Sequence, residues 1–284
     1  MYKLLALDMD GTLLNGKKVI TEEVSTQLKK LNENQIDVTL ATGRFPASVW
    51  LHAKKLELKC PLVALNGSVI LDAKSGEALR TTSIEKDVLY KIATFFEKEN
   101  VYFHFYGYNI LVVEEINEMN QRWALGNVVM NSNYELLSKN YEDQLKHFSL
   151  NKVGKLSEFV ENDNLPIFKV TVINDDVEVV DRLYNEVKEW PELNITRTGK
   201  RRFDINAAGV SKKSALIDVC QDRNIRREEV VAVGDYDNDI EMIQWAGLGV
   251  AMGNGNNAVK DIADTITLSN EEDGVAEVVK KYFK

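Results

Sequence analysis

Short apolar runs alternating with amphipathic segments predict an α/β fold, a Rossmann-like parallel sheet with helices on both faces plus an inserted α+β cap. Three observations lead there. Apolar runs at both ends of the chain stop at Asp, Thr, Asn or Gly; helical spacing lies between those runs; and the middle has a hairpin texture that the ends lack.

In order, Leu4 to Leu7 reads as a strand ending in Asp8, and Thr21 as the N-cap of a helix carrying Val24, Leu28 and Leu31 on one face. Val38 to Ala41 is a second strand ending in Thr42, Pro46 opens a second helix, and Leu62 to Leu65 is a strand ending in Asn66. The middle begins with a helix face of Val88, Ile92 and Phe95. Strands at Val101 to Tyr106 and Ile110 to Val113 follow around the turn Gly107 to Asn109, then a strand at Ile167 to Ile173 and a helix through Val180, Leu183 and Val187. The α/β habit then resumes. Ala215, Val219 and Cys220 mark a helix, Val230 to Val233 a strand ending in Gly234-Asp235, and Ile240, Ile243 and Ala246 another helix; Leu248 to Met252 is a strand, Gly253 to Asn257 a loop and Val275 to Phe283 a closing helix. This reading divides the chain into a core of residues 1–82 and 192–284 and a cap of residues 83–191, with Glu114 to Val160 unassigned.

A length of 284 residues suits two domains, and 44% hydrophobic with 28% charged residues is ordinary globular composition that excludes disorder. The net charge of −9 makes nucleic acid and anionic membrane poor partners, so an anionic substrate needs local positive charge to hold it. Cys60 and Cys220 are far apart and form no metal-type spacing, which points to a reducing compartment. The first residues carry carboxylates unlike a secretory segment, and no apolar run is long enough to span a membrane, so the expected location is cytoplasmic.

The chemistry begins at Asp8-Met9-Asp10-Gly11-Thr12-Leu13-Leu14, after the first strand. Side chains at the carboxyl edge of a parallel sheet face the crevice where α/β proteins bind ligands. Two carboxylates around a turn that Gly11 lets bend divide two jobs: one attacks as a nucleophile and the other handles a proton. Asx-turns at a strand end are the plainer alternative. Ala41-Thr42-Gly43-Arg44 brings a hydroxyl and backbone N–H groups to the same edge, unless Thr42 merely caps the next helix. Lys212, in Gly209-Val210-Ser211-Lys212-Lys213, opens a helix where backbone donors and an ammonium favour phosphate oxygens, with Ser211 as an ordinary N-cap the competing reading. Gly234-Asp235-Tyr236-Asp237-Asn238-Asp239 offers more carboxylates than a turn needs. Such hard oxygen ligands suit Mg²⁺, while a solvated acidic turn is the alternative.

In that order, with Asn66-Gly67-Ser68 and Gly249-Val250-Ala251-Met252-Gly253-Asn254-Gly255 completing the set, the segments resemble the haloacid dehalogenase superfamily of phosphatases, in its Cof-type branch with a large type IIB α+β cap. The resemblance implies Mg²⁺-dependent hydrolysis of small phosphorylated metabolites, sugar phosphates first. Asp8 is then the nucleophile that becomes an aspartyl-phosphate, and Asp10 the acid and base. Thr42 is the phosphate-binding hydroxyl and Lys212 the bridging cation. Asp235 is the metal ligand beside the Asp8 carboxylate and the Asp10 carbonyl, and Asp239 supports it from behind. Gly43, Arg44, Asn66 and Asn238 sit where this branch contacts phosphate or substrate. Ser68 departs from a common alanine, and Tyr236-Asp237 from a small residue and Glu. A mutase or phosphotransferase of the same chemistry, and a receiver-like binding module without turnover, are the alternatives.

Other signals weigh less. Gly253-Asn254-Gly255-Asn256-Asn257-Ala258 matches a dinucleotide fingerprint but has no second nucleotide-binding half after it, so Asn254 is read as facing the phosphate pocket. Arg197, Lys200, Arg201 and Arg202 read as a solvated hairpin, with an anchor for a distal substrate anion as the functional alternative. Period two puts Tyr102, His104 and Tyr106 on one sheet face, which either roofs the site, with Tyr102 or His104 selecting substrate, or faces solvent. His52 and His147 have no partner pattern.

Overall fold

A computed structural model describes residues 1–121, 123 and 147–283. Five parallel strands form the core sheet in the order β14-β13-β12-β1-β2, where β1 is Leu4–Leu7, β2 Asp37–Leu40, β12 Val230–Gly234, β13 Leu248–Ala251 and β14 Thr265–Ile266. All four residues of β1 are buried, as a strand with helices over both faces requires. On one face Leu5, Leu7, Val231 and Val233 pack against helices Glu22–Glu33 and Gly274–Tyr282; on the other, Leu4, Ala6 and Ala232 meet helices Lys212–Asp222 and Ile240–Trp245. Thr21 caps the first of these helices through the Val24 N–H, and Ser211 caps the third through the Ser214 N–H.

The strand expected after Ala41 takes another partner. β3 (Leu62–Ala64) pairs antiparallel with β4 (Val69–Leu71), which pairs with β5 (Ala78–Thr81), and this small sheet joins the core sheet's edge at the bridge Ala41 to Val63 and packs into the same hydrophobic core.

The cap is a six-stranded, mostly antiparallel sheet in the order β10-β11-β9-β6-β7-β8, with β6 Tyr102–Gly107, β7 Ile110–Val113, β8 Ser149–Lys152, β9 Lys169–Ile173, β10 Leu193–Gly199 and β11 Arg202–Ala207. Phe103, Phe105, Val170, Val172, Phe203 and Ile205 share one face and bury it against helices Lys86–Lys98 and Val177–Val187. Two expectations shift here. The first helix buries Leu89, Ile92, Ala93 and Phe96, one position round from the Val88-Ile92-Phe95 face read from sequence. The hairpin β10–β11 pairs with β9 rather than with the core, because its alternating apolar side needs the cap helices to cover it. We therefore place the return to the core after Ala207 instead of at residue 192. Most of the unassigned stretch Glu114 to Val160 lies outside the described residues.

Candidate active site

Leu7 lies in register with Val233 on one side and Leu40 on the other, so the segments that follow, at Asp8, Asp235 and Thr42, share one sheet edge. The chain leaves β1 toward β2 on one side and returns at β12 on the other, which makes this edge a topological switch point. A cavity of about 890 Å³ lies between this edge and the cap sheet, with Asp8, Asp10 and Thr42 below and Tyr106, Lys169 and Arg202 above.

Lys212 Nζ donates to Asp8 Oδ1 at 2.5 Å and to Asp239 Oδ1 at 2.7 Å, and all three side chains are nearly inaccessible. Burial disfavours the ammonium, but the charges of Asp239 and then Asp8 outweigh it and hold Lys212 protonated. Asp239 also accepts the N–H groups of Asp235 and Tyr236 on Oδ2, at 3.0 and 3.1 Å. Both of its oxygens are thus engaged by protein donors, the position of an orienting group.

Asp235 accepts Thr12 Oγ1 at 3.2 Å. A Cβ on Gly11 would sit 2.3 Å from Asp235 Oδ2 and its φ is +85°, so this turn admits only glycine. Asn254, expected to face the pocket, instead holds the turn from outside by donating to the Gly11 carbonyl at 2.8 Å. Oxygens of Asp8, Asp235 and Asp239 all lie within 4.8 Å of one another. Burial first and the neighbouring carboxylates next push the proton affinities of Asp8 and Asp235 up, with Lys212 opposing. Two desolvated carboxylates raised in this way fit a hard divalent cation between them, whose charge would relieve both.

The Asp10 carboxylate lies apart from that cluster. Arg44 grips it with a fork, Nε to Oδ2 at 2.6 Å and Nη2 to Oδ1 at 2.7 Å, and Lys18 Nζ adds a third bond at 2.5 Å. Burial would raise its pKa, but the charges of Arg44 and then Lys18 prevail and hold it well below the usual carboxylate range. Arg44 in turn rests on Ser48 Oγ at 3.3 Å, and His52 Nδ1 donates to the Ser48 carbonyl at 2.7 Å. Thr42 Oγ1 accepts the Arg44 N–H at 3.3 Å; the helix from Pro46 has Phe45 as its N-cap, so Thr42 does not cap it.

Gly43 and Asn238 line the cavity, while Asn66 lies buried behind the wall. Asn66 donates to Asp204 at 2.9 Å, and Lys169 Nζ donates to the Gly43 carbonyl at 2.7 Å and to Asp204 at 3.1 Å. Asn206 Nδ2 reaches the Leu65 carbonyl, Ser68 Oγ and the Phe168 carbonyl, and Ser68 Oγ donates to that same carbonyl at 2.7 Å. Ser68 therefore joins core to cap, a role that alanine lacks.

Lys169 and Asp204 carry no signal in the sequence, although cross-strand register explains them. Tyr106 faces Lys169, His104 faces Thr171 and Asp204 faces Thr171, which places these polar groups on the cap face toward the core. Tyr106 lines the cavity, whereas His104 is fully buried between the hydroxyls of Tyr102 and Tyr106, at 3.1 and 3.2 Å, and does not touch the cavity. The face roofs the site through Tyr106, and His104 supports it.

Residues 5–279 match the sequence profile of the haloacid dehalogenase-like hydrolases. The chain belongs to that family. It is 30% identical to the phosphatase YwpJ of Bacillus subtilis, over 98% of this chain and 99% of that protein. It is also 30% identical to the 5-amino-6-(5-phospho-D-ribitylamino)uracil phosphatase YitU of Bacillus subtilis, over 99% and 97%. Among solved structures, a haloacid dehalogenase-like hydrolase from B. subtilis superposes with a TM-score of 0.85 at 28% identity, covering 99% of each chain. A hydrolase of this family from Bacteroides thetaiotaomicron gives 0.80 at 27% identity, again over 99% of each. Within this family the chain is a phosphatase, an enzyme whose cap is a separate, mostly antiparallel sheet.

Proposed function

We propose that the protein hydrolyses small phosphate monoesters with Mg²⁺, passing through an aspartyl-phosphate on Asp8, and that sugar phosphates and similar metabolites are its substrates. The observation that carries this reading is the Lys212-Asp8-Asp235 arrangement at the floor of the cavity. One Asp8 oxygen is held by Lys212, and the carboxylate opens onto space large enough for a phosphorylated metabolite.

A carboxylate and a phosphate dianion repel each other, so positive charge must offset the encounter before attack. Mg²⁺ held by Asp8, Asp235 and the Asp10 carbonyl, with Asp239 behind, would supply part of that charge and polarise the phosphoryl group. Lys212 supplies the rest from within the protein. Asp8 attacks phosphorus through its cavity-facing oxygen while Thr42 Oγ1 and the backbone at Gly43 hold the phosphate oxygens, with Asn238 and Asn66 shaping that wall. An incoming phosphate competes with Asp10 for Arg44 and Lys18. Releasing Asp10 from those cations raises its proton affinity, which suits it to protonate the leaving oxygen as its bond to phosphorus breaks, and then to take a proton from the water that attacks phosphorus, breaks the Asp8–phosphorus bond and releases inorganic phosphate.

The substrates named for relatives, 5-amino-6-(5-phospho-D-ribitylamino)uracil and pyridoxal phosphate, are small phosphorylated compounds of the proposed kind. Both cysteines are buried free thiols, which supports a cytoplasmic location. Among the described residues no helix is long and apolar enough to cross a membrane. A steady-state assay of aryl and sugar phosphates with and without Mg²⁺, against Asp8→Asn, tests the proposal. Mg²⁺-dependent release of free phosphate by the wild type alone supports it, and transfer to a sugar hydroxyl without free phosphate refutes hydrolysis.

A further inference from the structure

The cations around the cavity divide unevenly among the acids. Lys212 serves Asp8 and Asp239, Arg44 and Lys18 serve Asp10, and Lys169 serves Asp204. Arg202 lines the same cavity, half-buried, and has no carboxylate partner among the described residues. Its neighbours in the basic hairpin are spent elsewhere: Arg197 pairs with Asp181 and Arg201 with Asp175.

Arg202 is nevertheless held in place. Its Nε donates to the Thr198 carbonyl at 3.0 Å, and its Cζ lies 5.0 Å from the Trp123 ring centroid. Those contacts fix the guanidinium plane and leave the two terminal nitrogens for another acceptor. Beside it, Thr198 Oγ1 is the one buried side-chain oxygen or nitrogen among the described residues with no hydrogen-bond partner. A buried hydroxyl without a partner is costly, and native proteins rarely leave one. Arg202 and Thr198 lie on one hairpin, and both line the cavity. In a chain of net charge −9, an oriented guanidinium without an acid beside an unmatched hydroxyl is a site waiting for an anion.

Building on the phosphatase reading, we infer that Arg202 and Thr198 bind a second anionic group of the substrate, so that the preferred substrates are phosphate monoesters whose leaving portion also carries a carboxylate or another phosphate. The phosphoryl group to be cleaved lies at Asp8, and the second anion reaches up to the cap hairpin. Arg202 thereby reads the leaving group and takes no part in the chemistry.

Matched substrates test this. Glycerol 3-phosphate against 3-phosphoglycerate and glucose 6-phosphate against 6-phosphogluconate report a carboxylate, and fructose 6-phosphate against fructose 1,6-bisphosphate reports a phosphate. We expect the wild type to favour the more charged member of at least one pair in kcat/KM, and the pair concerned identifies which anion is read. Arg202→Gln should shrink that preference by about 10- to 100-fold, the scale of a charged hydrogen bond. Thr198→Val should shrink it by about 3- to 10-fold, as a neutral donor does. Arg202→Lys, which keeps the charge and loses the fork, should fall between wild type and Arg202→Gln. Thermal melting confirms that each variant is folded. Turnover without a charge preference in any pair overturns the inference alone, as does an equal loss on both members in Arg202→Gln. Failure to hydrolyse 4-nitrophenyl phosphate and all six esters overturns the phosphatase reading and this inference with it.

Discussion

Replacing His104 with Gln should blunt the acid sensitivity of folding by an amount that the burial of its imidazole sets. The ring is inaccessible, and burial first, with the Lys169 charge second, pushes its pKa down to about 3. An unfolded chain returns it to about 6.5. Below that value the unfolded state takes up a proton that the folded state refuses. The stability tied to the neutral ring is complete above about pH 6.5 and is lost as pH falls toward about 3. By pH 5 the difference is about 1.5 pH units, or about 2 kcal/mol at ~1.36 kcal/mol per unit. Glutamine keeps polar atoms near the tyrosine hydroxyls but does not titrate. The gap in unfolding free energy between wild type and His104→Gln should therefore narrow by about 2 kcal/mol between pH 8 and pH 5. His52, pushed down to about 4 by burial and by Arg44, acts in the same direction, whereas the raised Asp8 and Asp235 gain protons on folding and act oppositely. All three are common to both proteins and cancel in the difference. Urea unfolding followed by far-UV circular dichroism at several pH values measures it, and curves that run parallel would refute the reasoning.

The other predictions concern the floor and the roof. Asp8→Asn should lose at least about 10⁴-fold in kcat, as other enzymes do without their nucleophile, while melting within a few degrees of wild type. Mg²⁺ should stabilise wild type by about 2.7 kcal/mol at a hundred times its Kd, seen as a concentration-dependent rise in melting temperature, and Asp235→Asn should abolish most of that rise. Asn206→Ala removes the two buried hydrogen bonds, to the Leu65 carbonyl and Ser68 Oγ, that tie cap to core; it should cost about 2–3 kcal/mol, measured by urea unfolding, and an unfolding free energy equal to wild type would contradict the pinning role. Gly11→Ala should lose activity and Mg²⁺ response together, because the added methyl collides with Asp235.

Local patterning made much of this legible. Apolar runs ending in Asp8, Thr42 and Asp235 are strands of the core or stand at their edge, since a strand buried on both faces has no polar residue until it leaves the sheet. Ser211 and Thr21 cap their helices as their side chains suggest. Pairing was less legible, because partner and register depend on contacts distant in sequence. That is why β3 turned from the core to β4, and why the hairpin from Leu193 to Ala207 went to the cap. The same limit hid Lys169 and Asp204: neither charge has a partner near in sequence, and only register sets them on one face. It also hid the partnership of Arg44 with Asp10, 34 residues apart, which only the fold brings within a hydrogen bond.

The central claim is that Asp8 carries the phosphoryl group for part of each cycle. Quenching the enzyme during turnover with borohydride, then mapping its peptides by mass spectrometry, tests this directly, because reduction of an acyl phosphate converts aspartate to homoserine. The account predicts homoserine at position 8 only when substrate and Mg²⁺ are both present. Continued phosphate release with position 8 always recovered as aspartate, while a synthetic acyl phosphate is reduced under the same conditions, would contradict it.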